Sequence, residues 1–128
     1  MAEKRMTYKI QDLGPVGEVH VADEVVAIIA GLAATEVDGV ASMAGNITYD
    51  LVSKLGMKTL SKGVKVNISG DVITVDLSLN IKYGKNILET SKTVQEKVKS
   101  SIETMTGLEV SEVNINIASV DMENEKGK

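Results

Sequence analysis

Two stretches of strict alternation between apolar and polar residues, separated by a glycine turn, constrain the fold more than any other feature of the chain. The first stretch covers residues 64–68 and the second covers residues 73–81. Between them lies Ser69-Gly70-Asp71, a combination typical of a tight turn. Because successive side chains of a strand point to opposite faces, this pattern predicts an antiparallel hairpin over residues 63–83, with one face buried and the other in water.

A long helix is predicted after the hairpin. Asn86 stands three residues before Glu89, which resembles a capping box in which Asn replaces the usual Ser or Thr. Apolar residues then recur at helical spacing, and the opposite face carries lysines and glutamates in alternation. Gly107 ends the pattern, and Leu108 is placed to make the hydrophobic contact of a helix C-cap. We therefore expect the helix to end at Gly107.

An earlier helix is predicted from Asp23, whose carboxyl lies in the first turn where the helix dipole favours it, to near Val37. Small residues recur on one side of it, so we expect another element to pack close to its backbone. The remaining predicted elements are short strands over 18–21 and 40–44, a short helix after Asn46, and a last strand with Val113, Ile115 and Ile117 facing inward.

These elements predict an α+β fold: a single domain whose mainly antiparallel sheet, built from the hairpin 63–83 and the C-terminal strand, packs against helices. The domain is expected over residues 14–120. Polar flexible segments are expected at 1–13 and 121–128. Since no segment has the ~20 consecutive apolar residues of a membrane span, and residues 1–13 lack the apolar run of a signal peptide, we expect a cytoplasmic protein.

Composition excludes several classes of function. The chain of 128 residues has no cysteine and a single histidine, so a zinc or iron–sulfur centre is not expected. Neither common nucleotide-binding glycine motif is present, and we expect no cofactor, no metal and no bound nucleotide. The net charge of −4 argues against nucleic-acid binding, which depends largely on neutralising phosphates.

One pair of residues has the chemistry of an acid and a base. His20 and Glu18 lie two positions apart and therefore point to the same side of a strand. The alternative is that they are simply two polar residues on the wet side of that strand, and this is the interpretation we adopt. No catalytic residue is predicted, and we expect that the protein is not an enzyme.

The distribution of charge points to a candidate interaction patch. No acidic residue occurs between Leu51 and Gly70, and four lysines fall in that segment, so it carries +4 while the rest of the chain carries −8. These lysines are Lys54, Lys58, Lys62 and Lys65. The patch is either a docking surface for an acidic partner or anionic lipid head groups, or an ordinary solvated face.

The last strand is a second candidate interaction surface. An open sheet has two edges with unpaired backbone groups, and no proline interrupts any predicted strand. Asn114 and Asn116 point outward from this strand without charge, which makes residues 113–120 a candidate edge for self-association or for binding a partner.

Five segments together resemble the alkaline-shock-protein family, the envelope stress response proteins of Gram-positive bacteria. The segments are GEVHVADEVV at 17–26, IAGLAA at 29–34, EVDGV at 36–40, KGVKV at 62–66 and MTGLEVSEVN at 105–114. Residues 43–46 and the lysine-containing loop after Leu55-Gly56 are most similar to the branch associated with lipid synthesis. The chain departs from the abundant stress-induced branch, which has a double glycine where Gly45-Asn46 stands here. It also departs at Leu88-Glu89, where many members carry a proline.

The resemblance implies a non-enzymatic protein with no cofactor. It implies partners among proteins: a small membrane anchor protein, a fatty-acid synthesis enzyme such as acetyl-CoA carboxylase, or further copies of the chain. We therefore expect an interaction or scaffold module in envelope stress response and in envelope or lipid homeostasis. The alternative is a regulatory protein that binds and modulates a fatty-acid synthesis enzyme.

Overall fold

The computed structural model describes residues 7–12, 17–44, 56, 61–70 and 72–122. The predicted short helix after Asn46 lies outside these residues. The described elements are β1 (Thr7–Asp12), β2 (Glu18–Ala22), α1 (Asp23–Thr35), β3 (Val40–Met43), β4 (Val64–Ser69), β5 (Val72–Lys82), α2 (Ile87–Thr106) and β6 (Glu109–Asp121).

The predicted hairpin is confirmed as β4 and β5, which pair antiparallel from Val64 opposite Leu77 to Ser69 opposite Val72. β3 pairs antiparallel with the far end of β5, where Met43 lies opposite Leu79. β3 and β4 thus follow one another along one edge of β5, and the sheet is mainly antiparallel, as predicted. β6 occupies the other edge of β5.

β6 runs parallel to β5. The reason is the 20-residue helix between them, which carries the chain back to the end of the sheet at which β5 began. Such a crossover is the usual way to join parallel neighbours. The apolar pattern of β6 is compatible with either direction and therefore does not indicate which one the strand takes.

A two-stranded ribbon precedes α1. β1 pairs antiparallel with β2, with Thr7 opposite Ala22 and Asp12 opposite Glu18. The sequence pattern predicts β2 but no element before Gly14, because the alternation in residues 7–12 rests on two apolar residues alone, Tyr8 and Ile10. Val19 in β2 remains 40% exposed. An alternation of two apolar residues is too short to identify a strand.

The predicted ends of α2 are confirmed. The Asn86 side chain accepts a hydrogen bond from the Glu89 backbone N–H at 2.9 Å, which satisfies one of the free donors of the first turn. At the other end Gly107 adopts φ +77°, a left-handed conformation that glycine tolerates without strain. Leu108 beyond it is buried.

Both helices cover the same face of the sheet. The inner residues of β5 are fully or almost fully buried and form the centre of the core: Ile73, Val75, Leu77, Leu79 and Ile81. Val94, Val98 and Ile102 of α2 pack against this core and are fully buried. Each aliphatic side chain of this size stabilises the fold by about 1.5–3 kcal/mol when removed from water.

α1 packs through its small side. Ala30 and Ala34 are fully buried, and Ala27 and Gly31 beside them are also buried, which confirms the predicted close approach to the helix backbone. The larger side chains Val25, Ile28, Ile29 and Leu32 lie on the other side of the helix and are only partly buried or exposed. α1 is therefore apolar around most of its circumference.

Candidate functional site

Two lysines of the predicted patch lie at one cavity on the polar face of the sheet. The cavity measures about 360 Å³ and is lined by Ala44, Lys62, Gly63, Val64, Lys65, Asp76 and Ser78. Lys65 lies directly opposite Asp76 in the β4–β5 ladder. Lys62 lies in the helical turn that leads into β4, and both lysines are exposed. The hairpin and its preceding turn therefore bring two ammonium groups to the mouth of one cavity.

Among the described residues, neither ammonium group forms an ion pair with a carboxylate. Other described lysines form ion pairs: Lys85 with Asp38 at 2.9 Å, Lys97 with Glu36 at 3.4 Å, and Lys99 with Glu103 at 2.9 Å. Within residues 17–44, 61–70 and 72–122 no carboxylate lies within 4.0 Å of the Nζ atom of Lys62 or Lys65. Their charge is therefore available to a ligand. Lys54 and Lys58, the other two lysines of the predicted patch, lie outside the described residues.

The outer edge of β6 is divided into two halves by the side chains of α2. In the first half the Val110 N–H donates to Glu103 Oε2 at 3.0 Å, and the Val110 carbonyl accepts from Lys99 Nζ at 2.9 Å. The Val113 carbonyl accepts from Gln95 Nε2 at 2.9 Å. These contacts occupy the backbone groups that a further strand would need. α2 therefore protects this half of the edge.

The second half of the edge has no such cover. The N–H and C=O groups of alternate residues in a strand point to opposite sides. Ile115 and Ile117 therefore direct these groups away from β5, as Val113 does. In the part of the chain that the structure describes, no side chain bonds to these groups. The Ile115 and Ile117 side chains face the helices and are only partly buried. This half of β6 thus combines an open backbone with incompletely buried apolar side chains.

The two asparagines predicted at this edge lie on the polar face. Asn114 Nδ2 donates to Asp76 Oδ1 at 2.9 Å, which ties β6 to β5. Asn116 lies opposite Ser78 in the ladder and is exposed. β6 is irregular at both ends of this stretch. Its register relative to β5 shifts beside Ser111 and again beside Ala118. Such bulges bend an edge and limit how far pairing can continue.

An apolar groove between the helices is a feature that the sequence analysis did not identify. It measures about 320 Å³ and is lined by Val25, Ile28, Ile29, Leu32, Ala33, Glu36, Ser101 and Met105. The Glu36–Lys97 ion pair lies at one end, and Met105 is 67% exposed at the other. The sequence does contain a signal for this groove. α1 carries apolar residues on two sides, and only one side of a helix can face its own sheet.

His20 and Glu18 lie side by side at the surface of β2. His20 Nε2 lies 3.0 Å from Glu18 Oε1, and each side chain is about half exposed, at 48% and 47%. Among the described residues no group of three or more His, Cys, Asp or Glu side chains gathers to hold a metal ion. In the same part of the chain, no helix is long and apolar enough to cross a membrane.

Two carboxyl groups have shifted pKa values. The hydrogen bond from Lys99, together with that from the Val110 N–H, lowers the pKa of Glu103. The hydrogen bond and the charge of Lys85 lower the pKa of Asp38. Both shifts stabilise the charged form of the carboxyl. Because each carboxyl is held by a lysine of its own domain, these shifts serve the structure of the β6 edge and of the α1–β3 turn.

Comparison with known proteins decides the family. Residues 12–122 match the family model described as "Asp23 family, cell envelope-related function". The match covers both helices and every strand from β2 to β6. The chain belongs to the Asp23 family. In this name Asp stands for alkaline shock protein and does not refer to the aspartate at position 23.

Relatives of this Asp23-family protein occur in Bacillus subtilis and Streptococcus pyogenes. It is 39% identical to the uncharacterized protein YqhY of B. subtilis over 84% of this chain and 79% of that protein. It is 34% identical to YloU of the same organism, over 84% of this chain and 92% of the relative. A stress response regulator gls24 homolog of S. pyogenes is 29% identical, over 81% of this chain and 59% of the relative.

Solved structures with a related backbone include a variant of the MamM CTD. Its TM-score to this Asp23-family protein is 0.49 at 13% identity, and the match covers 77% of this chain and 96% of that one.

Proposed function

We propose that this Asp23-family protein is a non-enzymatic docking module of the cell envelope, which binds an acidic segment of a partner protein at the cavity between Lys62 and Lys65. The observation that carries the proposal is the pair of ammonium groups at the mouth of one polar cavity, neither of them in an ion pair with a described residue. The membership of a family with a cell envelope-related function supports the setting. The name of the gls24 relatives, stress response regulator, supports a role in stress response.

The shape and chemistry of the cavity favour a protein over a lipid surface. A bilayer is nearly flat, whereas the two lysines flank a concave site. Asp76 lies within that site, where its carboxylate can accept a hydrogen bond from a backbone N–H that a lipid phosphate does not have. Ser78 and the Asp76 carboxylate can accept backbone N–H groups of an extended peptide, while the lysines bind its acidic side chains. Under this proposal the protein works on the cytoplasmic side of the envelope and is held near the membrane by its partner.

Direct binding to a fluorescent oligoglutamate peptide tests the site without knowledge of the natural partner. We expect weak, salt-sensitive binding, because exposed charges are screened over a Debye length of about 10 Å. The double change Lys62→Glu and Lys65→Glu should weaken it by roughly 5- to 30-fold, since a surface ion pair contributes up to ~1 kcal/mol. Lys92→Glu, at an exposed position on α2, has the same charge change as either single variant, Lys62→Glu or Lys65→Glu, and is the control for it; it should have little effect.

Two outcomes would contradict the proposal. A loss of binding in the Lys92→Glu control as large as that in Lys62→Glu or Lys65→Glu alone would mean that only net charge matters. Binding of anionic phosphatidylglycerol vesicles but not of the peptide would indicate a lipid surface as the ligand. Affinity purification from the native cell with wild type and the double variant then identifies the partner. A small membrane protein lost in the variant would support an anchoring role, and loss of acetyl-CoA carboxylase subunits would support control of lipid synthesis.

A further inference from the structure

We propose that the uncovered half of β6, residues 114–118, is a homodimer interface at which two copies of the chain pair their β6 strands antiparallel about a two-fold axis through Asn116. This half of the edge is a regular strand between the α2 contacts at Val113 and the register shift beside Ala118. The stretch carries no charge, no lysine and no proline, which are the usual means of protecting an edge.

The backbone determines the register. Only Ile115 and Ile117 turn free N–H and C=O groups outward within this stretch. A two-fold axis through Asn116 sets Ile115 of each copy opposite Ile117 of the other. Each of these pairs exchanges two hydrogen bonds, so every outward group of the uncovered stretch is satisfied.

The charges at the ends of the strand favour the same register. With the axis at Asn116, Glu112 lies opposite Val120 and Asp121 lies opposite Ser111, so no two carboxylates within β6, residues 109–121, face one another. With the axis at Ile115, Glu109 would lie opposite Asp121, and directly opposed like charges destabilise a strand pair. That alternative would also need the Val113 carbonyl, which Gln95 already occupies.

The side chains also favour a second copy of the chain as the partner at this edge. Directly opposite residues of an antiparallel pair point to the same face, so the four isoleucines of the two copies meet on the helix side of the extended sheet. Ile115 and Ile117 are only partly buried in one copy and gain cover from each other. On the polar face the two Asn116 amides lie side by side at the axis and can hydrogen-bond.

Dimerisation through β6 leaves the lysine cavity open. β4 and β6 lie on opposite edges of β5, so the Lys62 and Lys65 side chains of both copies stay accessible at the two ends of the joined sheet. The dimer would present two docking cavities, and two sites on one body bind a multivalent partner more tightly than either site alone. The proposal stands on β6 alone and does not require the lysine cavity to bind a partner.

Cysteine cross-linking tests the register, because the chain contains no cysteine of its own. Opposed residues that do not exchange hydrogen bonds have Cα atoms about 4.5 Å apart, which is within the range a disulfide spans. We expect Asn116→Cys to form a disulfide dimer under mild oxidation. Asn67→Cys, also at an exposed position on the polar face of β4, should remain monomeric.

Sizing by light scattering and sedimentation tests the dimer itself. We expect the wild type to approach twice the monomer mass as its concentration rises, and Asn116→Lys to raise the dissociation constant at least fivefold, with Asn67→Lys as the matched control. Circular dichroism confirms that each variant is folded. A wild type that stays monomeric at millimolar concentration overturns the proposal. If the Asn67→Cys variant forms a disulfide dimer as readily as the Asn116→Cys variant, the proposal is also overturned.

Discussion

The side-chain amide of Asn80 donates a hydrogen bond to Ser42 Oγ at 2.9 Å, and both residues are buried. The same amide lies 3.3 Å from the Met43 carbonyl, while the Asn80 oxygen accepts from Ser119 Oγ at 2.8 Å. Asn80 is on the central strand β5, Ser42 is on β3 and Ser119 is on β6. One asparagine thus links both neighbours of β5 at the end of the sheet beyond β4.

Replacing Asn80 with alanine should lower the free energy of unfolding by about 1–3 kcal/mol, because the hydroxyls of Ser42 and Ser119 lose their buried partner. Asn67→Ala, at an exposed position of β4, is the control and should change stability by no more than about 0.5 kcal/mol. Urea unfolding of both variants checks this. Equal, small effects would show that the Asn80 contacts do not stabilise the fold.

A glycine near the start of β3 should tolerate no side chain. Gly39 has φ +105°, and an added Cβ would lie 2.9 Å from Thr90 Oγ1 on α2. Thr90 is buried and β-branched, so it has little freedom to move. Gly84 has a similar φ of +92° but open space around it. Gly84→Ala should therefore lower the free energy of unfolding by about 1–2 kcal/mol through backbone strain alone. Gly39→Ala should lower it by clearly more, because the steric clash adds to the strain. Thermal unfolding that ranks the two equally would contradict this.

The small side of α1 should be intolerant of enlargement. Ala30 is fully buried, so Ala30→Leu should destabilise the fold by about 1–3 kcal/mol through overpacking. Val25 lies on the outer side of the same helix and is 44% exposed. Val25→Leu should leave the free energy of unfolding within about 0.5 kcal/mol of the wild type. Urea denaturation distinguishes these outcomes, and a stable Ala30→Leu variant would mean that α1 can shift away from the sheet.

Glu103 should make stability depend on pH in the acid range. Lys99 and the Val110 N–H lower its pKa below the ordinary value of 4.5, so the charged form stabilises the folded state. That stabilisation is fully present above the unfolded pKa of about 4.5 and is lost as the pH falls through the lower folded pKa. Glu103→Gln should therefore be less stable than the wild type at neutral pH, and the difference should shrink towards acid pH.

Urea midpoints measured from neutral to acid pH check this prediction. Glu96→Gln is the control, because Glu96 is exposed on the same helix and forms no ion pair with a described residue. A difference between the wild type and Glu103→Gln that stays constant with pH would show that the Glu103 carboxylate contributes nothing as a charge.

Local patterns account for the elements that were predicted. The alternation at 64–68 and 73–81 predicts β4 and β5 because a strand's side chains alternate whatever its neighbours are. Asn86 and Gly107 predict the ends of α2 because both act on backbone groups within one helical turn. β1 was not predicted, since only Tyr8 and Ile10 alternate with polar residues there and the rest of residues 7–12 is polar.

By itself the sequence determined the hairpin, the two helices, the close packing of α1 and the concentration of lysines between Leu51 and Gly70, because each depends on residues near one another in the chain. Only the tertiary structure decided that β6 runs parallel to β5, that α2 covers one half of its edge, and that Lys62 and Lys65 flank a cavity with Asp76. These relationships join residues far apart in the sequence. They depend on how helices and strands pack around a shared core, which no periodicity within a single segment records.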